Sequence, residues 1–165
     1  MNVFVCDYDP IVAAKSLADK HVVKMVVETT QLLSTACHLQ NISFEGQYKA
    51  THKHHPCLIA LLEQPAFLQW TIAHGVALCH EYTERYQREH KSEQIMAYAA
   101  KHLQTDHCIV MSDFDTFPRA VFDEFKTLPV VDAYRAHLRK KYNVLWKPGN
   151  ARWKFPSVNP LWLEK

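Results

Sequence analysis

Four side chains in the first quarter of the chain, His21, Lys24, Glu28 and Gln31, follow one another at steps of three, four and three. In a helix that spacing stacks them in one column. A mid-helix carboxylate with an imidazole and an ammonium within a turn or two can act as a general base or steady a developing cation. Its pKa is then set by neighbouring charge and by desolvation. The same column also reads as a solvated face, with pairs worth roughly 0.2–0.5 kcal/mol each.

A second group is the run THKHHPC, with His52, His54 and His55 ahead of a helix start and Cys57 close by. Dense histidine before a helix suits a metal, or a phosphate that meets imidazole and backbone N–H groups. No second Cys or His cluster with zinc-like spacing accompanies it, so a phosphate or substrate contact and plain local capping stand ahead of metal. A third group lies on the stretch opened by Pro65, with Trp70, His74, Glu81, Tyr82, Arg85 and Tyr86. Trp70 is expected in the core, and Glu81 with Arg85 at i,i+4 is expected to be an ion pair. Near the end, Trp146, Lys147, Arg152, Trp153, Lys154 and Phe155 interleave cations with aromatics. That mixture contacts single-stranded or distorted nucleic acid, or else docks as a tail. Glycine-rich phosphate loops, nucleophile elbows and dinucleotide fingerprints are absent, which removes the common nucleotide-using classes.

The elements that must carry these groups are helical. Val22, Met25, Val26, Leu32, Leu33 and Ala36 recur at helical spacing over Leu17–Gln40, opposite the polar column, and Asp19 is expected to cap that helix. Asp9-Pro10 predicts a short helix over 10–17. Residues 2–6, NVFVC, predict a short extended segment or a buried lead-in. A loop is expected over 41–53, and a helix from Pro56. A longer helix runs from Pro65 to about His90, its apolar face being Phe67/Leu68, Ile72, Val76, Cys79 and Tyr82/Tyr86. Ser92 is expected to cap a further helix, IMAYAAKHL. Residues 104–128 read as irregular, with one turn after Pro118, and Pro129 opens a last helix that includes Arg139 and Lys140. The expected fold is mostly α: a compact single-domain helical bundle over 1–165, with an extended aromatic, basic C-terminal arm.

Composition agrees. A chain of 165 residues with 48% apolar content can bury a real core. No apolar run reaches the roughly 18 residues of a membrane span, and no leader is apparent. Five dispersed cysteines without a C-x-x-C pair point to a reducing, cytoplasmic setting, in a cell or an infected host. Net charge is only +2, yet Arg135–Lys165 holds eight Lys or Arg against one acid, whereas Asp106–Glu124 holds five acids and one Arg. The basic end is a candidate DNA surface, with Arg139, Lys140, Arg152 and Lys154 as its expected contacts. A monomer is expected.

The run Ser16-Leu17-Ala18-Asp19-Lys20-His21, with Glu28 seven residues after the histidine, resembles the pyrimidine-dimer DNA glycosylases of the phage endonuclease V type. Their Leu-Ala-Asp-x-His stretch precedes the catalytic glutamate by the same distance. His54-His55-Pro56-x-Leu58 also resembles a His-His-Pro segment of bacterial relatives. The likeness covers about residues 1–65. It implies a small helical domain that acts on DNA without metal or organic cofactor. It further implies a nucleophilic amine at the first residue, here Met1, with Glu28 to stabilise the sugar cation and move protons, and His21 beside it near the substrate. An α-amine ordinarily titrates near about 7.7–8.0, so a useful fraction is nucleophilic at neutral pH. Lys24, Gln31, His52, His54 and His55 would then contact substrate or DNA.

Two departures stand out. The lead-in is several residues longer than in the family, and begins Met1-Asn2. Where phage members have arginines around the glutamate, this chain has Val27 and Gln31. Lys24 would supply the missing cation or an alternative amine. A relative that acts on a modified base fits these differences. Two other classes compete: a phage-type base-modifying or metal-assisted enzyme built on His21, His52, His54 and His55, and a DNA-binding module without catalysis.

Overall fold

Asp9 begins the first helix as the sequence predicts. In the computed structural model, which describes residues 1–164, its carboxylate accepts from the Ile11 and Val12 amides at 2.7 and 3.3 Å, and Pro10 fills the first helical position. Helix α1 spans Pro10–Lys15, two residues shorter than expected, and α2 spans Asp19–Leu39. Helices α3, Pro56–Glu63, and α4, Pro65–Tyr86, are each opened by the proline at their first position. Helix α5 is Glu93–Leu103 and α6 is Val130–Lys140, extended by one π-turn over Lys141–Leu145. No strand occurs among the described residues, and no helix there is long and apolar enough to cross a membrane. The chain is all-α.

Helices α2, α4 and α5 pack on one another, with α1 and α3 against α4. The apolar stripe read on α2 is buried throughout: Val22, Met25, Val26, Leu32, Leu33 and Ala36. Each such side chain contributes roughly 1.5–3 kcal/mol of transfer free energy. Trp70 lies in the core, fully buried. At the crossing of the three helices a Cβ on Gly75 would come 2.6 Å from Met96 Sδ and 3.0 Å from Thr29 Cγ2. A side chain there would require Met96 to shift, so the glycine eases the close approach of the helices. Residues 3–6 of the lead-in are buried without forming a strand.

Several expectations need correction. Asp19 does not cap α2. Ala18 holds the N-cap position with no side-chain bond, and Asp19, at the first helical position, turns its carboxylate to Arg85 at 2.9 Å and to the Lys154 amide at 3.0 Å. Ser92 stands at the N-cap of α5 without capping it, because its hydroxyl bonds Tyr48 Oη instead, at 2.8 Å. Helix α4 stops at Tyr86, short of His90, because Gln87 takes a left-handed conformation with φ 52°. Val76 is exposed rather than on the packed face of α4. The turn expected after Pro118 is the 3₁₀ turn Asp123–Phe125, but two further 3₁₀ turns lie at Met111–Thr116, before Pro118, and at Leu161–Leu163.

The Glu81–Arg85 pair is present at 2.8 Å and reaches further than its own helix. Arg85 is buried and also donates to the carbonyls of Leu17 at 2.8 Å and Lys15 at 3.1 Å. One guanidinium therefore closes the α1–α2 corner onto α4. Breaking such a buried network by truncating one partner costs about 3–5 kcal/mol. Arg85→Ala is accordingly expected to lower thermal stability sharply. An unchanged melting temperature would refute the structural role given to Arg85.

Candidate active site

The first three residues are held from three sides. The Asn2 backbone N–H donates to Glu28 Oε2 at 3.0 Å, and the Asn2 side-chain amide donates to the Ala120 carbonyl at 2.7 Å. The Asn2 side-chain oxygen accepts from the Val3 amide at 2.8 Å. Helix α3 lies on the third side, with its N-cap residue His55 near enough to the chain terminus for that charge to act on the imidazole. His55 Nδ1 accepts from the Cys57 amide at 3.2 Å. The proline of His55-Pro56 thus sets a helix start whose cap residue lies near the chain terminus.

Glu28 has its second oxygen 3.2 Å from Lys24 Nζ, one helical turn earlier. Its side chain is only 14% exposed while that of Lys24 is 61% exposed, so the carboxylate is the recessed member of the pair. Two features converge here: a half-buried carboxylate and the chain's first peptide group. Burial, together with the nearby positive N-terminus, holds the His55 imidazole below its ordinary value. At neutral pH it is therefore the uncharged imidazole that faces Met1.

His21 does not share the face of Lys24 and Glu28. It points inward, 3% exposed, between Phe4, Tyr142 and Trp146, with ring centroids at 4.8, 5.2 and 4.9 Å. The column read from spacing therefore splits, because the helix turns His21 toward the core. Tyr142 Oη accepts from the Ala18 amide at 3.2 Å and shares a hydrogen bond with His21 Nδ1 at 2.6 Å. Desolvation, and after it the charges of Lys141 and Lys24, drop the His21 pKa to about 3.

Beside His21 and Lys24 opens a pocket of about 460 Å³, lined by Lys20, His21, Lys24, Lys141, Leu145, Trp146, Lys147 and Asn150. Lys20 and Lys24 lead along α2 toward Glu28 at steps of four, the true continuation of the column. Lys20, Lys141 and Lys147 were not evident in the sequence as a group. Only the return of the chain after α6 brings Lys141 and Lys147 to the start of α2.

The other residues singled out lie elsewhere. Gln31 is half-buried one turn beyond Glu28, and His52 and His54 are exposed on the approach to α3. Arg139 donates twice to the Trp162 carbonyl, at 3.1 and 2.7 Å. Lys140 pairs with Glu124. Arg152 donates to the Gly149 carbonyl, and Lys154 stands over the Tyr86 ring at 5.0 Å. Residues after Trp146 bond to the body at several points, among them Trp153 Nε1 to the Ser16 carbonyl at 3.2 Å and the Asp19 amide to the Arg152 carbonyl at 2.8 Å. Among the described residues no three His, Cys, Asp or Glu side chains converge as a metal-holding group.

The family model for pyrimidine dimer DNA glycosylase matches residues 1–94, more than half of the chain. The chain belongs to that family. No curated protein and no solved structure matches it. Membership makes it a DNA-repair glycosylase by class, with DNA as substrate. The match reaches from the N-terminus to the first residues of α5, well past the first 65 residues. It therefore takes in α2 with Glu28, the His55 cap, and the whole of α4 with its Arg85 clamp.

Proposed function

We propose that this chain excises a damaged or modified base and then cleaves the strand, with the α-amine of Met1 as nucleophile and Glu28 as its carboxylate partner. The observation that carries the reading is the 3.0 Å bond from the Asn2 amide to Glu28 Oε2. It ties the amide of the second residue to the recessed carboxylate of α2, which supports Met1 as the nucleophile nearest that carboxylate along the chain.

The reaction begins with the uncharged amine attacking C1′ of the damaged nucleotide. The N-glycosidic bond breaks, its electron pair leaves with the base, and the base gains a proton. Glu28 stabilises the cationic character at C1′ and relays protons. Loss of a proton from nitrogen and opening of the sugar leave an imine between C1′ and Met1. Removal of a C2′ proton then sends electrons toward C3′ and expels the 3′ phosphate, which is β-elimination. No step in this sequence calls for a metal or an organic cofactor.

The test is reductive trapping. Protein with a free Met1 amine, verified by intact mass, is incubated with abasic or dimer-containing duplex and borohydride. A covalent adduct is expected, and an N-terminal extension is expected to remove it. Absence of any adduct with every DNA would refute the reading. An adduct that survives the extension would transfer the nucleophile to Lys24, whose amine is 3.2 Å from Glu28.

The clamp on Asn2 gives a milder prediction. Asn2→Ala leaves the Ala120 carbonyl and the Val3 amide without their side-chain partner and loosens the first residues, while the backbone bond to Glu28 remains. Trapping is expected to slow by about tenfold to a hundredfold, the usual cost of a misplaced reacting group, with the adduct still formed. An unaltered rate would show that the clamp does not position the amine.

A further inference from the structure

The pocket beside Glu28 differs in chemistry from the cleft that holds Met1. Four of its eight lining residues are lysines, and none is a carboxylate. Lys20, Lys141 and Lys147 have no carboxylate within ion-pair distance among the described residues. Lys20 instead donates to Asn150 Oδ1 at 2.8 Å and lies 5.7 Å from the Trp146 ring centre. Lys141 is half-buried on the Phe4 face at 5.7 Å. An uncompensated cluster of this kind repels itself, and it is relieved most directly by an anion.

His21 shows where the anion would sit. It is almost wholly buried, yet it lines the pocket, and its Nδ1 bonds Tyr142 Oη, which leaves Nε2 as the ring's second nitrogen. No hydrogen bond reaches that Nε2 from any described residue. His21 thus adds an uncharged imidazole to a pocket lined by four lysines, surroundings that favour an anion such as a phosphate over a cationic ligand. Burial first and neighbouring positive charge second lower the pKa of both Lys141 and His21, with Glu28 partly opposing the shift at Lys141.

We infer that the pocket formed by Lys20, His21, Lys24, Lys141, Trp146 and Lys147 is a phosphate subsite that grips the DNA strand next to the nucleotide presented to Glu28. The inference rests on the DNA reading above. It adds a grip built from the start of α2 and the segment after α6, in place of the positions flanking Glu28 where phage members have arginine. The spacing along α2 sets its reach: eight residues from Lys20 to Glu28 correspond to about 12 Å, the axial span of roughly three to four phosphates of one strand. The phosphate is either an intact diester beside the lesion or the monoester left by strand cleavage.

The measurement is the salt dependence of binding to an uncleaved abasic-analogue duplex, by fluorescence anisotropy. The double variant Lys20→Gln, Lys147→Gln changes two exposed side chains and leaves the core untouched. Its slope of log K against log salt is expected to be shallower by about one to two, near 0.9 for each phosphate no longer neutralised. The double variant Lys49→Gln, Lys101→Gln, equal in charge and outside the pocket, is expected to stay within half a unit of the parent slope. Equal slopes for the two double variants would overturn the inference. A nicked duplex with a 5′-phosphate, set against the same nick with a 5′-hydroxyl, separates the sources. Preference for the phosphate that disappears in the Lys20/Lys147 variant assigns the monoester, and a slope change without that preference assigns the diester. A shifted slope in a protein that forms no borohydride adduct would retain the subsite and reject the amine mechanism. A normal adduct with unshifted slopes would do the reverse.

Discussion

Glu28→Gln is expected to lower single-turnover cleavage by about 10²–10⁴-fold, the range for loss of a positioned acid–base group. The amide is nearly isosteric, and its oxygen can still accept the Asn2 N–H now held at 3.0 Å. The first residue therefore stays in place while the charge is lost. Stability is expected to change by less than about 1 kcal/mol, because the partner given up is Lys24, whose side chain is mostly exposed. DNA affinity is expected to hold or rise, since a negative charge leaves a surface that must accept phosphates. Single-turnover kinetics and a binding titration on the same abasic duplex check both halves. A loss of less than tenfold would remove Glu28 from the chemistry. A large loss accompanied by equal loss of binding would make it a structural residue.

The second large effect is a collapse of stability in mild acid. Burial drops His21 and His74 to about 3 and His137 to about 4, against an ordinary value of 6.5. All three are uncharged in the folded chain at neutral pH, whereas the unfolded chain binds protons at each once pH falls below 6.5. Their contribution to stability is therefore intact above pH 6.5 and is lost as pH falls from there toward 4 and 3. Each group costs about 1.4 kcal/mol per pH unit over that span. Three together approach a typical total stability of about 5–15 kcal/mol within two to three units.

His74 is the sharpest case. It is fully buried, stacks on Trp70 at a centroid distance of 4.8 Å, and has no hydrogen-bond partner on either ring nitrogen. Urea midpoints at pH 7.5, 6.0 and 5.0 are expected to fall steeply, and less steeply in His74→Phe. The same variant is expected to be no less stable than the parent at pH 7.5, because it removes two orphaned polar atoms from the core. Midpoints that stay level from pH 7.5 to 5.0 would contradict the burial of these imidazoles.

Much of the fold was legible because its signals are local. Asp9-Pro10, Pro56 and Pro65 mark helix starts through the fixed φ and missing N–H of proline, and these need no partner. The apolar stripe of α2 is a property of its own period. Capping was less legible, because Asp19 and Ser92 each had a stronger distant partner, Arg85 for one and Tyr48 for the other. Spacing alone could not say that His21 turns inward, since a residue 100° from its neighbour lies on the border of two faces. Phe4, Tyr142 and Trp146, from both ends of the chain, decide that side.

Local signals suffice for the helical class, for the helix starts, and for Glu28 as the carboxylate to examine, since all three are written in residues near one another along the chain. What Glu28 faces is a property of the packed chain. Asn2 reaches it across 26 positions because buried Val3–Cys6 thread the lead-in through the core, while the Ala120 carbonyl holds the Asn2 side chain. Packing also selects which cations gather near that carboxylate. Lys20 and Lys147 are far apart in sequence, and only the docking of the segment after α6 onto the start of α2 brings them into one pocket.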